Sequence, residues 1–558
     1  MKLFNCKKFI LPVAVFYCIY NIYSCAAIQS PSGGPKDNTP PVLLASIPES
    51  GSINFEGGKV ELMFSEYLLE KSLKNAFTIL PKTSTPAEIK YEGDKVNIYF
   101  PDSLSSEQTY ILSINRELKD ERGVPLSKGI QLAFSTGSRI DNSKIRGRVF
   151  YNGAASSLLW KLKDSTDHID FYKRIPDYNI DANDEGEYEF SYLSKGDYKV
   201  VGVDKDFNGR LIDADYGTYG LPWTSYVSID SIDIVKQSIN IIVPNKPRSV
   251  KILNAQWLSN RWGRLTFDFP IEDFKNIIFV DIISDSFGIR AKTFIDSEKS
   301  NMLHYVIPDS LKYGLKTIVD IAPVYQNSHK VIDSVKIAAR IPIAKDTNYI
   351  SITNYKKNIV LNIDKEVIMP LNIHFSKIMD NASLDSAITL YKDSSLLEIE
   401  MTWASPMDLE VLPKINWEPL SQYSLSIIRD KIFINNNKTI KDSIKTIAIS
   451  TTKYKKFGTL TGNIVTKHFE PLFVRLFSYE KENIFHDAIV NSSSFFKISK
   501  IPEGKYYLLF FYDKDGNTKY SEGHLNPYSP SEWFEFLSDT ISIRNNWDME
   551  VADIRLSN

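Results

Sequence analysis

Cysteine is almost absent from this 558-residue chain, and its three cysteines all lie within the first 25 residues. The rest of the sequence therefore has no internal disulfide, no cysteine-ligated zinc site and no thiol nucleophile. A formal net charge of −2 excludes a nucleic-acid binder that works through bulk positive charge. With 43% hydrophobic and 24% charged residues, the composition is that of a globular protein rather than a disordered, collagenous or coiled-coil one.

Sequence motifs of catalysis are also absent. The chain has no Gly-x-Ser-x-Gly elbow of a hydrolase and no Gly-rich phosphate loop, and its seven histidines are not spaced as metal ligands. We therefore expect a protein that is not an enzyme. Glycoside-cleaving carboxylates pair in space and not along the sequence, so a glycan hydrolase with a spatially assembled carboxylate site stays open as the least favoured function.

Residues 1–24 have the features of an export signal. Three lysines precede an apolar stretch that is too short and too interrupted for a good transmembrane helix. The stretch ends in Ile22-Tyr23-Ser24-Cys25, which resembles the lipobox of bacterial lipoproteins. Cleavage there would make Cys25 the lipid-modified N-terminus and the single cysteine of the mature chain. The alternative is a plain secretory signal in which the last cysteine has no role.

Beyond the signal, the sequence predicts a tether followed by β structure. Residues 25–41 are rich in proline, glycine and serine, which cannot build a hydrophobic core. From Val42 onward the apolar residues alternate with period two, as in Lys59–Phe64 and Tyr110–Ile114. No long amphipathic helix is evident. Closely spaced strands without helical crossovers predict an all-β protein built from tandem antiparallel β-sandwich domains.

An internal repeat predicts the order of these domains. Phe64-Ser65-Glu66 recurs as Phe375-Ser376-Lys377, and each copy opens a pattern of strands that we call an A module. Each A module is followed by a B module, whose first strand contains Gly147 in one copy and Gly462 in the other. A region between the copies has no partner in the repeat. The predicted order is therefore A–B–X–A–B.

Motifs of the first A module are similar to those of the bacterial Ig-like domain first described in surface-layer proteins. They include Pro40-Pro41, Leu62-Met63-Phe64-Ser65-Glu66, the turn at Leu118–Gly123 and Phe134-Ser135-Thr136. The B modules resemble transthyretin-like or carboxypeptidase-regulatory-like β-sandwiches. The whole chain resembles Ig-like-domain outer-membrane lipoproteins of Bacteroidetes, which implies extracytoplasmic scaffolding or binding and brings no catalytic residues. The second A module departs from the pattern at Lys377, which replaces the acid.

The repeat and the resemblance together divide the chain into seven parts. They are a lipoprotein signal peptide (1–24), a tether (25–41), Ig-like domain 1 (42–137), transthyretin-like β-sandwich 1 (138–246), a β domain of unassigned type (247–345), a divergent Ig-like domain 2 (346–454) and transthyretin-like β-sandwich 2 (455–558).

An acidic turn in each B module is a candidate calcium site. The possible ligands are Asp204, Asp206, Asn208 and Asp215 in the first turn and Asp513, Asp515 and Asn517 in the second. Alternate oxygens in an EF-hand-like loop can converge on Ca²⁺, although neither turn has the bidentate glutamate or the flanking helices. We favour ordinary turns between strands, which use the same residue types without a metal. No other cofactor is indicated.

An aromatic loop follows each acidic turn and is a candidate binding loop. Its aromatic residues are Tyr216, Tyr219, Trp223 and Tyr226 in the first B module and Tyr528 and Trp533 in the second. Loops at the end of a sandwich are where a protein or a sugar would be gripped. For the loop aromatics themselves we favour the alternative, a loop that folds back over the edge of its own sheet, because such aromatics commonly pack inward. Near the C-terminus we expect Trp547 in the core of the last module.

These features favour a non-catalytic, lipid-anchored protein of the cell outer membrane, on its periplasmic or its surface face. It would act as a scaffold or binding protein that engages other envelope proteins through the end loops of its sandwiches. The membrane, through the N-terminal lipid, and other envelope proteins are the expected partners, and nucleic acid is not. A carbohydrate-binding surface lipoprotein that uses the aromatic loops is the second hypothesis.

We predict that Cys25→Ser releases the protein from membranes and leaves its domains folded. Each buried acyl methylene contributes about 0.8 kcal/mol of membrane affinity, so loss of the lipid removes the anchor without touching any β module. Membrane fractionation with circular dichroism of the released protein measures both effects. A variant that stays in the membrane fraction after a high-salt wash contradicts the anchor.

Overall fold

The computed structural model describes the chain from Asp37 to Ser557, with gaps. The residues outside the description are 1–36, 81–82, 84, 102–103, 105, 107, 164–166, 208–210, 231–233, 246–248, 272–277, 283–288, 327–328, 333, 345–348, 380–383, 385–386, 429–430, 433–445, 466–470, 480–483, 538 and 558. The predicted signal, Cys25 and most of the tether lie outside the described residues. Among the described residues, no helix has the length and apolar character needed to cross a membrane.

The first A module is a sandwich of two sheets. Its described elements are β1 (Leu43–Ile47), β2 (Lys59–Phe64), α1 (Glu70–Leu73), β3 (Phe77–Leu80), β4 (Glu88–Glu92), β5 (Lys95–Tyr99), β6 (Thr109–Ile114) and β7 (Ile130–Ser135). The sheet orders are β1–β2–β5–β4 and β3–β6–β7. Val60, Leu62 and Phe64, at alternate positions of β2, are buried between the sheets, as the period of two predicts.

The first B module is a second sandwich. Its described elements are β8 (Ser143–Phe150), β9 (Ala155–Lys161), α2 (Asp167–Asp170), a 3₁₀ turn (Phe171–Lys173), β10 (Tyr178–Asp181), β11 (Glu187–Leu193), β12 (Gly196–Asp204), a 3₁₀ turn (Lys205–Phe207), β13 (Tyr219–Gly220), β14 (Val227–Ile229), β15 (Val235–Lys236) and β16 (Ile241–Ile242). One sheet has the order β10–β9–β12–β13, with β14 also on β12. In the other sheet, β8 pairs with β11 on one side and with β15 and β16 on the other.

The middle region, which the sequence left unassigned, also forms a β-sandwich. Its described strands are β17 (Ile252–Trp257), β18 (Trp262–Phe267), β19 (Ile278–Ile282), β20 (Ile289–Arg290), β21 (Lys292–Ile295), β22 (Met302–Val306), β23 (Lys316–Ile321), β24 (Val324–Gln326), β25 (His329–Ile332) and β26 (Val335–Arg340). The main sheets have the orders β17–β18–β22–β21 and β20–β19–β23–β26. Leu265, Tyr305 and Val319 are buried in the shared apolar cluster.

The last two modules repeat the first two. The described strands of the second A module are β27 (Asn358–Leu361), β28 (Leu371–His374), β29 (Ile388–Lys392), β30 (Ser395–Leu397), β31 (Ile399–Ser405), β32 (Asp408–Pro413), β33 (Gln422–Ile427) and β34 (Thr446–Thr451). Those of the second B module are β35 (Gly458–Val465), β36 (Leu472–Ser478), β37 (Phe485–Ile489), β38 (Phe495–Ile501), β39 (Gly504–Tyr512), β40 (His524–Leu525), β41 (Tyr528–Ser529), β42 (Phe534–Phe536), β43 (Ile541–Ile543) and β44 (Asp548–Arg555).

The strands common to both copies of each module keep the same order. The outer strands of the A modules differ, because β1 pairs with β2 in the first copy, whereas β27 pairs with β34 and β30 with β29 in the second. The order β10–β9–β12–β13 of the first B module corresponds to β37–β36–β39–β42 in the second, and β11–β8 corresponds to β38–β35. In the A modules, β2–β5–β4 corresponds to β28–β32–β31, and β3–β6–β7 to β29–β33–β34. The all-β, tandem-sandwich fold is confirmed. Most of the described strand pairs are antiparallel, as predicted, and four are parallel: β15 and β16 with β8, β44 with β35, and β27 with β34.

Successive modules are linked by polar contacts. Arg116 of the first A module donates from its backbone amide to the Asp181 carboxylate of the first B module, at 2.8 Å. Ser297 of the middle domain donates to Asp408 of the second A module at 2.5 Å. Lys500 of the second B module forms an exposed ion pair with Glu366 of the second A module. Each of these links joins two modules that are adjacent in the sequence.

The two B modules also dock against each other, although the middle domain and the second A module separate them in sequence. Leu525 of the second B module is fully buried in an apolar cluster whose other buried members come from the first B module, including Leu158 and Trp160. At a neighbouring point the ring centroid of Phe150 lies 5.6 Å from that of Phe534 and 4.6 Å from that of Phe536. The last module of the chain thus packs against the first B module.

We predict that Leu525→Asp separates the two B modules while each keeps its own core. Loss of a buried leucine side chain alone costs about 2–5 kcal/mol, and a carboxylate in the same apolar cluster adds a desolvation penalty. Small-angle X-ray scattering should show a larger radius of gyration. Ile489→Asp, at an exposed position of the same module, is the matched control. A radius of gyration unchanged from the wild type would contradict this docking in solution.

Candidate functional site

The second acidic turn is closed by backbone hydrogen bonds. Asp513 is buried directly after β39 and accepts hydrogen bonds from the amides of Gly516 at 2.8 Å, Asn517 at 3.1 Å and Thr518 at 2.9 Å. Gly516 and Thr518 both have positive φ, at 74° and 62°, which the reversal of the chain requires. These are the bonds that the turn interpretation predicts.

Glu532 joins this turn, and the sequence pattern missed it. Its buried carboxylate accepts hydrogen bonds from the amides of Lys514 at 2.7 Å and Ser521 at 3.0 Å. One carboxylate oxygen each of Asp513, Asp515 and Glu532 lie within 4.8 Å of one another. Burial raises the pKa of Glu532 to about 7. These three oxygens are of the type that Ca²⁺ prefers, so this turn has the better geometry of the two for a cation.

The first acidic turn is arranged differently. Asp204 accepts hydrogen bonds from the Tyr151 hydroxyl and, at 2.8 Å, from the amide of Asp206. Burial, together with this bond, raises the pKa of Tyr151 to about 12. The amide of Asp215 donates to Asp213 at 3.0 Å. Asn208 lies outside the described residues, and within the described part of this turn no three acidic side chains converge.

Three of the six aromatic residues that the sequence predicts to bind a partner make their contacts within the chain. The fully buried Tyr219 accepts a hydrogen bond at its hydroxyl from the Leu525 amide at 3.1 Å, and Tyr528 donates to the Ser225 carbonyl at 2.8 Å. Trp533 is 8% exposed and packs on Tyr512. The docking of the B modules and the module core bury Tyr219 and Trp533, so the prediction that these two grip an external partner is wrong. Tyr528 is half-buried, and its hydroxyl is bonded across the docking interface.

Backbone bonds and a cation–π contact complete the docked loops. The Leu221 amide donates to the Glu522 carbonyl at 3.1 Å, and the Ser531 amide to the Pro222 carbonyl at 3.3 Å. The Lys199 ammonium lies 3.6 Å from the ring centroid of Tyr528 across the same interface. Burial lowers the pKa of Lys199 to about 8. These backbone hydrogen bonds and the cation–π contact join the two end loops.

The other predicted aromatics remain accessible to different degrees. Trp223 is 46% and Tyr226 45% exposed, and the ring of Tyr226 makes an edge contact with His168 at 5.4 Å. Tyr216 is half-buried beneath the Lys251 ammonium, which lies 4.5 Å from its ring centroid. Trp547 is 59% exposed in the turn before β44, so the prediction that it lies in the core is wrong.

A Ser–His–Asp cluster lies between the middle domain and the second A module. His374 is buried, and its Nδ1 lies 2.6 Å from Asp408 Oδ1 and 3.1 Å from Ser297 Oγ. In a catalytic triad the histidine uses one ring nitrogen for the aspartate and the other for the nucleophile. Here both partners meet the same nitrogen, so His374 cannot relay a proton from Ser297 to a substrate. The cluster is a link between modules.

A second buried histidine is likewise occupied by structural hydrogen bonds. The Trp262 indole donates to Nδ1 of His304 at 3.0 Å, and Nε2 of His304 lies 3.0 Å from Asp296. Burial alone would raise the pKa of Asp296, but the bonds from His304 and two backbone amides lower it to about 2. Neither ring nitrogen of His304 is therefore free for proton transfer.

One family model matches part of the chain. Residues 37–136 match the model described as a bacterial Ig-like domain, so the chain contains such a domain at its first A module. No curated protein has a significant sequence match to the chain.

Several solved structures are similar at low identity. The N-terminal part of the bacterial S-layer protein SbsC is 7% identical over 36% of this chain and 44% of that one, with a TM-score of 0.19. The Bacillus anthracis TIE protein is 11% identical over 94% and 75%, with a TM-score of 0.14. Native Escherichia coli alpha-2-macroglobulin is 9% identical over 91% and 34%, with a TM-score of 0.15. The chain thus spans less than half of the S-layer structure it matches.

We predict that His374 makes the protein more stable in mild acid. The hydrogen bond to Asp408 raises the pKa of His374 above its ordinary value of 6.5. This contribution is fully present below about pH 6.5 and is lost as the pH rises through the folded-state pKa. Thermal unfolding between about pH 5.5 and 8.5 should show that His374→Gln is most destabilising at the acid end. His168→Gln is the control, and an equal loss of stability at every pH contradicts the protonated pair.

Proposed function

We propose that the protein is a non-catalytic scaffold of the bacterial cell envelope. In this proposal a lipid on Cys25 anchors it to the outer membrane, and it binds another envelope protein beside the interface of its two B modules. The observation that carries the binding proposal is the exposure of Trp223 and Tyr226 on a loop whose neighbouring residues are fixed by that interface.

The docking of the two B modules holds the loop that carries these two aromatic side chains in place. Pro222 accepts a backbone hydrogen bond from the second B module just before Trp223, and Ser225 accepts one from Tyr528 just before Tyr226. A loop held in this way loses little conformational entropy when a partner arrives. Tyrosine and tryptophan bury a large area with few rotatable bonds, and such anchors commonly dominate an interface.

The apolar surroundings support a protein partner over a sugar. His168 contacts Tyr226, and Ile169, the next residue of α2, is 58% exposed. An exposed aliphatic residue next in sequence to this contact favours burial against apolar protein surface, whereas sugar sites need convergent polar groups around an aromatic ring. A glycan partner is therefore the alternative outcome of the test.

The polar clusters support a protein without catalytic turnover. The histidine of the Ser297–His374–Asp408 cluster lacks the two-sided geometry of a proton relay, and His304 has both ring nitrogens engaged. The bacterial Ig-like domain at residues 37–136 supports the scaffold proposal.

We predict that Trp223→Ala weakens partner binding at least about tenfold, the effect of a binding hot spot, with little change in melting temperature. The full chain is used to capture partners from detergent-solubilised outer membranes, and affinity is then measured for the captured protein. Trp547→Ala removes another exposed tryptophan, in the turn before β44, and should bind as the wild type does.

Two outcomes would overturn this proposal. One is a large drop in melting temperature of Trp223→Ala with affinity intact, which would make Trp223 a structural residue. The other is saturable binding on a glycan array that Trp223→Ala abolishes, which would replace the protein partner by a sugar. Hydrolysis of an envelope glycan by the full chain would contradict the non-catalytic role.

A further inference from the structure

Three carboxylates meet at one edge of the first A module, outside the surface discussed above. Asp37 precedes β1, Glu66 follows β2, and Asp120 lies in the turn between β6 and β7. One carboxylate oxygen of each residue lies within 4.8 Å of the other two. Glu66 and Asp120 belong to two motifs of the Ig-like resemblance that are far apart in sequence.

Backbone hydrogen bonds on both sides hold Glu66 in this place. Ser65 exchanges hydrogen bonds with Val42, since its amide donates to the Val42 carbonyl and its hydroxyl accepts from the Val42 amide, both at 2.9 Å. On the other side, the Glu121 amide donates to the Tyr67 carbonyl at 3.0 Å. Glu66 is therefore fixed between the start of the first strand and the turn that carries Asp120.

The buried side of this cluster has an oxygen without a hydrogen-bond donor. Asp120 is 1% exposed, and its Oδ1 accepts from the Val124 amide at 2.8 Å. Its Oδ2 has no hydrogen-bond partner among the described groups. An unsatisfied buried carboxylate oxygen is strongly unfavourable, so such an atom indicates a missing positive partner.

The charges at the cluster are also uncompensated. Within the described part of the chain, no lysine or arginine forms an ion pair with any of the three acids. Three converging acids without a cationic side chain would repel one another at neutral pH unless a cation lies between them.

We propose that Asp37, Glu66 and Asp120 bind a calcium ion. All three ligands are hard oxygens, which suit Ca²⁺ and not the nitrogen- and sulfur-seeking transition metals. Calcium tolerates irregular coordination completed by water, whereas Mg²⁺ demands a near-ideal octahedron. The ion supplies the partner that Asp120 Oδ2 lacks and offsets the repulsion at Glu66. It also ties Asp37, at the end of the predicted tether, to the body of the first module.

The second A module provides a comparison within the same chain. At the position of Glu66 its sequence has Lys377, in Phe375-Ser376-Lys377. An ammonium group at that position replaces one ligand and repels a dication, so we expect no equivalent site in the second A module.

The test is a titration of the full chain with calcium chloride, followed by isothermal titration calorimetry and by thermal unfolding. Calcium modules of extracellular proteins have dissociation constants of about 10⁻⁴ to 10⁻³ M, and the titration should cover that range. We expect saturable binding and a higher melting temperature. Glu66→Gln and Asp120→Asn should each weaken binding at least about tenfold, since each removes one charged ligand.

Asp553→Asn is the matched control, because it removes an exposed acid that belongs to neither three-carboxylate cluster and should bind calcium as the wild type does. Circular dichroism verifies that each variant is folded, and the half-buried Glu66 provides a variant that spares the core if Asp120→Asn does not fold. The proposal is overturned if the wild type shows no saturable binding, or if Glu66→Gln binds calcium as tightly as the wild type. It also fails if potassium chloride at matched ionic strength gives the same increase in melting temperature.

Discussion

The docking of the second B module on the first is the contact on which the arrangement of the other modules depends. The links between sequence neighbours, such as Arg116 with Asp181 and Ser297 with Asp408, fix one junction at a time. The bond from the Leu525 amide to the Tyr219 hydroxyl joins residues 306 positions apart. Because the entropy of loop closure grows only with the logarithm of length, one well-packed apolar cluster is enough to hold so long a loop closed. The middle domain and the second A module lie within that loop.

This contact also explains which part of the candidate surface could be predicted from sequence. The sequence pattern predicted an aromatic loop in each B module. An aromatic side chain indicates that a large apolar surface is available for burial, but its residue type does not indicate which partner covers that surface. Tyr219 and Tyr528 find their partners in the other B module, whereas Trp223 and Tyr226 stay exposed beside them. Trp547 shows the converse error, since its place in a predicted last strand suggested a core position for a side chain that is 59% exposed.

The fold followed more directly from sequence than the polar sites did. Alternating burial in β2 and the shared strand orders reflect local periodicity and the repeat, which can be read along the chain. The parallel pairing of β44 with β35 cannot be read this way, because the partner of a late strand is chosen by the sheet edge that remains open. Glu532 beside Asp513 and Glu66 beside Asp120 are encounters across loops and sheets, and no spacing rule brings such pairs together.

The docking of two related modules is asymmetric, and this has a consequence for the repeat. A contact between two identical modules about a twofold axis uses the same residues from both partners. Here the second B module inserts Leu525 and Tyr528, from the hairpin β40–β41, into a cluster formed by Trp160 and Tyr219 of the first. The two surfaces are complementary and not alike, so the contact is of the heterologous, head-to-tail kind. Loops of unlike sequence, on sandwiches with corresponding strands, therefore form the contact that closes this chain on itself.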